Sequence, residues 1–440
     1  DSFRPCMRND RNDTPWWMRL FAAIGLYATV IHLLQLFVTF GRGMKPPRAE
    51  TLPQPGSPDF MNALAASMNT DVRRGGEVRL LDNGDAFFTA LLEAIRGARH
   101  HIHLMTYIWR PGRISDEIFE ALLERARAGV EVRLMIDGIG SFIAPQKHLH
   151  ALRKAGGQTA VFSPLFSTNF VHLNQRNHRR AFVFDGRLAF TGGMSVADHW
   201  AGDAEGPHHW RDTMVRVTGP MALTVQVAFV HLWTNVTGEH LIGGEYAPRF
   251  SDEEAGSGIR HLGVAHSPDP AEQPLMHLFW LSVQAARERV YIANAYFAPS
   301  RHFRDVLRAK AREGVDVRLL LPGRHTDNPF VRWAAQSWYD ELLEDGVRVY
   351  EFTPTMMHAK YMAVDGCWTV IGSANIDIRS IKLNQENVLG IADGTLAREV
   401  EAQFRRDLAR AREMKLDEWE GRAPWYRLRE GVSFLFRAQY

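Results

Sequence analysis

The apolar and polar positions of the chain repeat one series of predicted elements. Residues 98–109 (ARHHIHLMTYIW) and 286–297 (ARERVYIANAYF) each read as a helix end followed by an alternating apolar strand that finishes in an aromatic residue. Residues 125–138 (RARAGVEVRLMIDG) and 309–323 (AKAREGVDVRLLLPG) each predict a basic helix, a glycine stop and a buried strand. The shared order predicts a duplicated fold.

A pair of predicted hairpins extends the duplication. Residues 181–193 (AFVFDGRLAFTGG) and 361–373 (YMAVDGCWTVIGS) each form two apolar runs around an Asp-Gly turn, which favours tightly connected antiparallel strands. Strands that alternate with helices indicate an α/β sandwich in each half. We therefore expect an α/β fold of two fused, pseudo-symmetric α/β/α sandwich halves.

The same patterns set the expected domain boundaries. The two halves are predicted at residues 75–245 and 258–415, joined by a glycine-rich acidic segment. A proline-rich stretch, residues 45–74, reads as a linker that precedes them. Residues 1–44 are the expected membrane-helix region, and residues 416–440 form a basic-aromatic tail that either lies at a lipid surface or docks as a helix on the body.

The N-terminal region is the compositional exception. Residues 20–40 carry no charge and are long enough, at about 1.5 Å per residue, to cross a hydrocarbon core of about 30 Å. Trp16 and Trp17 precede them as an interfacial belt would. We expect a transmembrane helix here, with a buried core helix or an interfacial helix as the alternative.

Composition narrows the function classes. The net charge of +2 over 440 residues, with no basic groove pattern, argues against a nucleic-acid partner. Cys6 and Cys367 are far apart, which excludes a disulfide framework and favours a reducing compartment for the body.

Each half also carries a histidine with a cation two residues later. His178 is followed by Arg180, and His358 by Lys360, a spacing that puts each pair on one face of an extended chain. Two such pairs brought together would form an anion site: the cations hold phosphoryl oxygens, one imidazole attacks phosphorus, and the other transfers a proton. No Cys-x-x-Cys or His-Glu-x-x-His spacing is present, so we expect neither a metal nor a cofactor.

Four carboxylates accompany these histidines. Asp185 and Asp365 stand at the hairpin turns, where we expect them to cap the turn and pair with a nearby cation. A carboxylate on the second ring nitrogen would orient each imidazole. Asp212 and Glu386 follow the two histidines by some 30 residues, and we expect Asp212 to orient His178 and Glu386 to orient His358.

The motifs resemble the phospholipase D superfamily, whose signature is H-x-K, four residues, D, six residues and G-S-x-N. Residues 358–375 (HAKYMAVDGCWTVIGSAN) match at every position, and the similarity to bacterial cardiolipin synthases extends over about residues 75–440. The resemblance implies transfer of a phosphatidyl group between phospholipids, usually two phosphatidylglycerols giving cardiolipin and glycerol. It also implies a single-pass protein of the bacterial inner membrane, with the bilayer as a partner and a cytoplasmic catalytic body.

The resemblance further implies site roles. His178 would be the nucleophile and His358 the general acid and then base, although the pseudo-symmetry also permits the reverse. The remaining residues would be catalytic or bind substrate: Arg180, Lys360, Asp185, Asp365, Gly193, Ser195, Ser373, Asn375 and Asn384.

Two of these positions depart from the family pattern, because Arg180 stands where lysine is usual and Ser195 where asparagine is usual. Three outcomes stay open: an active enzyme with a reshaped phosphate site, an unusual donor or acceptor, or a degenerate first half. The corresponding alternatives to a synthase are a phospholipid-hydrolysing phosphodiesterase and a membrane-anchored lipid-binding protein without turnover.

Overall fold

The computed structural model describes residues 15–40, 49, 51–164, 174–252, 258–269 and 273–422. The described helices are α1 (Trp16–Phe40), α2 (Pro58–Met68), α3 (Asn83–Gly97), α4 (Arg113–Arg127), α5 (Gln146–Lys154), α6 (Gly219–Thr237), α7 (Pro274–Ala285), α8 (Arg301–Arg312), α9 (Pro329–Gln336), α10 (Tyr339–Glu344), α11 (Ile378–Lys382), α12 (Gly394–Leu408) and α13 (Leu416–Glu420).

The described strands up to the middle of the chain are β1 (Arg73–Arg74), β2 (Val78–Asp82), β3 (His101–Thr106), β4 (Glu131–Asp137), β5 (Gln158–Phe162), β6 (Arg176–Asn177), β7 (Ala181–Phe184), β8 (Leu188–Gly192) and β9 (Thr213–Thr218). The later strands are β10 (Arg260–His266), β11 (Arg289–Asn294), β12 (Phe297–Ala298), β13 (Asp316–Pro322), β14 (Arg348–Phe352), β15 (Lys360–Val364), β16 (Trp368–Gly372), β17 (Ile376–Asp377), β18 (Asn384–Ala392) and β19 (Ala411–Met414).

Each half of the chain builds one large sheet with the same internal order. The first sheet runs β2-β9-β8-β7-β3-β4-β5, and the second contains β10-β18-β16-β15-β11-β13-β14 in the corresponding places. In both, two parallel strands (β3 with β4, β11 with β13) adjoin an antiparallel hairpin (β7–β8, β15–β16). The predicted duplication of an α/β fold is therefore confirmed.

The apolar periodicity explains how the layers pack. Outer helices cover the far face of each sheet: α3, α4 and α5 on the first, and α2, α7 and α8 on the second. Between the sheets, α6 and α12 share one continuous cluster with residues from the inner faces of both sheets, such as Phe229, Phe404, Met105 and Tyr291. Each sheet thus has helices on both faces, and the inner layer is common to the two halves.

The N-terminal boundary of the body differs from the prediction. Residues 58–68, expected to be linker, form the helix α2, which begins at the N-cap Ser57 with a proline in its first turn. Phe60 and Leu64 are buried, and the Phe60 ring packs edge-on against Trp368 at 5.4 Å. The strand β1 also pairs with β10, so Pro58–Arg74 belongs to the folded body.

The N-terminal unit, Asp1–Lys45, is distinct from the unit Pro46–Tyr440. A helix over the apolar run is present as α1. Within the part of the chain that the structure describes, no helix combines the length and apolarity needed to cross a membrane, so the predicted span is not confirmed. Most of the predicted C-terminal tail, residues 423–440, lies outside the described residues.

Candidate active site

Backbone pairing between the halves brings the two histidines to one place. The short strand β6, just before His178, pairs in parallel with the start of β18, and the His178 N–H donates to the Gln385 carbonyl at 2.9 Å. The equivalent bridge joins Arg211 to Met357, and the His358 N–H donates to the Arg211 carbonyl at 2.7 Å. Each histidine is therefore anchored to the main chain of the opposite half.

The carboxylates pair with the histidines in the crossed sense. His178 Nδ1 lies 2.9 and 3.0 Å from the two Glu386 oxygens, and His358 Nδ1 lies 2.6 Å from Asp212 Oδ2. The prediction that Asp212 orients His178 and Glu386 orients His358 was wrong. The reason is that the main chain beside each histidine pairs with the main chain beside the carboxylate of the opposite half. Each carboxylate therefore lies next to the histidine of the other half.

Hydroxyls and one amide hold Glu386. Ser373 Oγ donates to Oε2, while Ser380 Oγ and Asn384 Nδ2 donate to Oε1 at 2.9 and 3.3 Å. Ser373 and Asn384 had been expected among the substrate-binding residues, but in the structure they contact the carboxylate. They fix the side chain that orients His178.

The equivalent position in the first half is built differently. Asp212 accepts from the Trp200 indole N–H at 2.9 Å and from the Thr213 N–H at 2.7 Å. Gly193, the counterpart of Ser373, is the close neighbour here: a Cβ on it would lie 2.1 Å from Asp212 Oδ1. Gly193 had been expected to bind substrate, but the structure shows that its missing side chain makes room for the carboxylate.

The two cations of the motifs are buried beside the histidines without a carboxylate partner. An Arg180 guanidinium N–H donates to the His178 carbonyl, and Lys360 Nζ lies 3.1 Å from His358 Nε2. Neither forms an ion pair within the described parts of the chain. A buried cation without a direct ion-pair partner is costly, so an anion is the ligand that this arrangement favours.

Two further polar side chains at the motifs lack partners. Ser195 Oγ and Asn375 Oδ1 are buried, and neither has a hydrogen-bond partner among the residues described. They occupy equivalent positions, because each follows the glycine that ends the second hairpin strand by three residues (Gly192 and Gly372). Their unused hydrogen-bonding capacity is consistent with a ligand site.

Burial controls the protonation of these groups. Desolvation, reinforced by the nearby Arg180, lowers the pKa of His178 to about 4, and desolvation with Lys360 lowers the pKa of His358 to about 3. Burial also lowers the pKa of Lys360 to about 7. Although burial alone would raise it, the contact with His358 lowers the pKa of Asp212. These surroundings therefore favour neutral imidazoles and an ionised Asp212 carboxylate.

Asp185 and Asp365 lie away from this centre. Both turn residues have positive φ, 53° and 50°, and stand at the ends of β7 and β15 opposite to the histidines. The Asp185 carboxylate accepts main-chain N–H groups of Arg99, His100 and His101 at 2.8–2.9 Å, and Asp365 does the same for Arg287, Glu288 and Arg289, which lead into β11. Their partners are main-chain amides that lead into the neighbouring strand, rather than the amides of the turn itself or a cation, and both lie outside the histidine–carboxylate centre.

Sequence reasoning missed residues that link the halves at this point. The buried Arg211 donates through Nε to both oxygens of Asp407 on α12, at 3.0 and 2.9 Å, and through Nη2 to Asp82 at 3.1 Å. Asn387 exchanges two 2.9 Å hydrogen bonds with the main chain of Arg180. The sequence offered one indication of these residues, their position next to a predicted carboxylate: Arg211 precedes Asp212, and Asn387 follows Glu386.

Aromatic rings line the outer side of the histidines. Tyr107 packs edge-on against His178 at 5.1 Å between ring centroids, and Tyr296 lies edge-on to His358 at 6.2 Å. The described residues contain no cluster of three or more His, Cys, Asp or Glu side chains able to hold a metal ion.

Comparison with known proteins agrees with this geometry. The family model described as "Cardiolipin synthase, PLD-like domain" matches residues 91–205 and 282–408, one segment in each half. The chain belongs to the cardiolipin synthase family of phospholipase D-like proteins. It is thus a phosphatidyltransferase of the phospholipase D superfamily, as the sequence motifs had indicated.

Curated cardiolipin synthases align with most of this chain. It is 34% identical over 363 residues to the cardiolipin synthase of Geobacillus sp. (strain WCH70), covering 82% of this chain and 71% of the relative. It is 33% identical over 378 residues to cardiolipin synthase 2 of Bacillus anthracis, covering 86% and 72%.

Solved structures show the same fold at low identity. The phosphatidylserine synthase of Haemophilus influenzae Rd KW20 aligns with a TM-score of 0.65 at 15% identity, over 86% of this chain and 100% of that chain. A polyphosphate kinase from Porphyromonas gingivalis aligns with a TM-score of 0.51 at 15% identity, over 90% and 57%. At this identity the likeness concerns the fold alone.

Proposed function

We propose that this family member makes cardiolipin from two molecules of phosphatidylglycerol, releasing glycerol, through a covalent phosphohistidine on His178. The observation that carries the proposal is the pair of crossed histidine–carboxylate contacts around two buried cations, neither of which forms a direct ion pair with a described residue. This arrangement supplies a nucleophile, a proton carrier and an anion-binding site for a phosphodiester. The family relationship supplies the lipid substrate class.

In the first step, Nε2 of neutral His178 attacks the phosphorus of one phosphatidylglycerol. The bond from phosphorus to the head-group glycerol oxygen breaks, and protonated His358 gives its proton to that oxygen, releasing glycerol. Glu386 holds Nδ1 of His178 and stabilises the positive charge that the ring acquires. The entering phosphodiester anion offsets the charges of Arg180 and Lys360, which raises the pKa of His358 and allows it to arrive protonated.

In the second step, the head-group hydroxyl of another phosphatidylglycerol replaces the glycerol. His358, now neutral and held by Asp212, takes the proton of that hydroxyl, whose oxygen attacks phosphorus while the phosphorus–nitrogen bond to His178 breaks. Cardiolipin leaves, and His358 is protonated again. Arg180, Lys360 and the amide of Asn375 would hold the non-bridging oxygens in both steps.

The proposed setting is the bacterial inner membrane, with the catalytic body on the cytoplasmic side. The family relationship and the phospholipid substrates support a membrane surface as the site of action. The two widely separated cysteines favour the reducing side.

The direct test is a product assay on purified full-length protein in mixed micelles with labelled phosphatidylglycerol, analysed by lipid mass spectrometry. Cardiolipin and glycerol in equal amounts, lost in H358A and retained in the presence of EDTA, are expected. Phosphatidic acid as the main product would instead identify a hydrolase. Absence of any product, also with phosphatidylethanolamine or added alcohols, would identify a protein whose first half has lost its activity. Loss of activity in EDTA, restored by a divalent metal, would contradict the metal-free scheme.

A further inference from the structure

Three large apolar side chains project from a single short loop after β4. Ile139, Phe142 and Ile143 have exposed fractions of 46%, 64% and 56%. Single exposed apolar residues are common at protein surfaces, but three within five residues form a patch.

The main chain of this loop is well ordered by hydrogen bonds. Asp137 Oδ1 accepts the N–H groups of Ile139 and Gly140 at 2.8 and 3.0 Å, and the Ser141 N–H donates to the Asp137 carbonyl at 3.1 Å. The Phe142 N–H donates to the Ile139 carbonyl at 3.2 Å. The loop therefore holds its apolar side chains outward by a fixed turn.

The same loop lies against the first half of the active site. Ser141 Oγ donates to the Tyr107 carbonyl at 2.8 Å, and a Cβ on Gly140 would lie 2.7 Å from the Tyr107 ring. The Tyr107 ring in turn packs against His178. A ligand or surface that binds the exposed side chains would therefore be separated from His178 by little more than Tyr107.

The surrounding sequence favours an anionic partner. No Asp or Glu occurs from Gly138 to Phe184, although these two types make up 50 of the 440 residues. Three cations in this stretch, Lys147, Arg153 and Lys154, are exposed on α5, which follows the loop directly. In the second half, the segment after β13 contains Asp327 together with Arg324, and Phe330 is exposed in the first turn of α9.

We propose that the loop Gly138–Ala144 inserts its apolar side chains into the interface of an anionic phospholipid bilayer, while the cations of α5 contact the head groups. The proposal rests on the proposed function, because it assumes that phospholipids reach His178 from this side. Apolar side chains flanked by Lys and Arg are the combination that binds such interfaces. A bilayer surface fits better than another protein because the patch consists of three side chains and its loop contacts Tyr107, which packs against His178.

The test places a fluorophore on the loop of the full-length chain. Phe142→Cys in a Cys6→Ser background is labelled at neutral pH with a bimane; burial raises the pKa of the Cys367 thiol to about 11, which keeps it unreactive, and Cys6→Ser alone gives the background. Ile242→Cys is the matched control. Ile242 is 80% exposed. Its segment packs near the start of β4, the end opposite to the loop, because Glu239 contacts Arg133 and Tyr246 contacts Glu131.

Vesicles of phosphatidylglycerol with brominated or unbrominated acyl chains supply the readout. We expect the label at position 142 to shift to shorter wavelength and to be quenched at least threefold more by brominated chains than the label at position 242. Equal quenching at the two positions would overturn the proposal. Equal quenching at position 142 in phosphatidylcholine vesicles would overturn the part assigned to charge.

An activity measurement separates this inference from the proposed function. We expect F142S/I143S to lower cardiolipin formation on phosphatidylglycerol vesicles about tenfold and to change it less than twofold on dispersed short-chain phosphatidylglycerol. An equal loss on both substrates would contradict a docking role. If the unaltered protein formed no cardiolipin at all, the proposed function would be contradicted. The quenching experiment would still show whether the loop enters the bilayer.

Discussion

Burial gives Lys360 an unusual position on the pH scale. Its pKa falls to about 7 because the ammonium is desolvated, so its charge is lost as pH rises through neutrality. We expect kcat/KM to fall tenfold per pH unit above the pKa of the free enzyme, since the uncharged amine no longer attracts phosphate. In K360R the charge persists to high pH, and this alkaline fall should disappear even if the overall rate is lower. A fall of the same shape in K360R would assign it to another group.

The departure at Arg180 has a second testable consequence. Arg180 reaches the His178 carbonyl and still has a buried Nε without a partner, while the neighbouring motif position holds the short Ser195. We expect R180K to lower kcat/KM about tenfold, because one ammonium replaces a forked donor and Ser195 adds no reach.

Restoring the usual asparagine provides the control for that prediction. R180K/S195N should regain most of the lost activity, because an amide at position 195 would supply the missing donor. Full activity of R180K alone, measured as kcat/KM under the same conditions, would show that the forked guanidinium is not required.

At the residue scale, the sequence was sufficient for the identities of the site but not for its pairing. The two histidines, their cations and both orienting carboxylates were predicted, because a matched pair of motifs is a strong signal. The assignment of Asp212 and Glu386 failed because distance along the chain favours partners in the same half. The main-chain pairing of β6 with β18 and the bridge of Arg211 to Met357 reveal the exchange.

Among the elements, the two hairpin turns are expected to be structural. Asp185 accepts three main-chain N–H groups, two just before β3 and one at its first residue. We expect D185A to reduce the free energy of unfolding by about 1–3 kcal/mol, since these donors lose a charged acceptor, with kcat per folded molecule unchanged. Denaturant unfolding with E93A as the control checks this, because Glu93 is exposed on α3. A loss of kcat at full stability would return Asp185 to the catalytic group.

The end of strand β8 depends on the absence of a side chain. A Cβ at Gly193 would overlap the Asp212 carboxylate, which would have to move away from His358. We expect G193A to lower kcat by at least tenfold with KM nearly unchanged, because proton transfer by His358 is affected more than lipid binding.

Gly97, the last residue of α3, has no atom within 4 Å of an added Cβ and provides the matched control. G97A should keep the activity of the unaltered protein. Equal activities of G193A and G97A would show that the position of Asp212 does not limit turnover.

The sequence predicted the elements whose apolar residues follow a clear periodic pattern, and it missed those without such a pattern. The strands β3, β4, β11 and β13 follow alternating or continuous apolar runs, and the structure contains them. The helix α2 was missed because prolines on its N-terminal side indicated a linker, whereas Pro58 stands in its first turn, where a proline is well tolerated.

The two halves of the folded body together form one site. Each histidine takes its orienting carboxylate and its main-chain anchor from the opposite half, so neither half holds a complete pair. Arg211 strengthens the junction by joining Asp82 of the first half to Asp407 of the second. Duplication was visible in the sequence, but mutual dependence arises from packing and could not be predicted from either copy alone.

The central claim is that His178 carries the phosphatidyl group between the two lipids. Full-length protein is mixed with labelled phosphatidylglycerol, quenched within one turnover in mildly alkaline denaturant, which preserves both the phosphorus–nitrogen bond and the acyl esters, and mapped by peptide mass spectrometry, with H178A as the control. The account predicts a phosphatidyl adduct on the peptide that contains His178 and none in H178A. An adduct on His358, or cardiolipin formed by H178A at the normal rate, would contradict it.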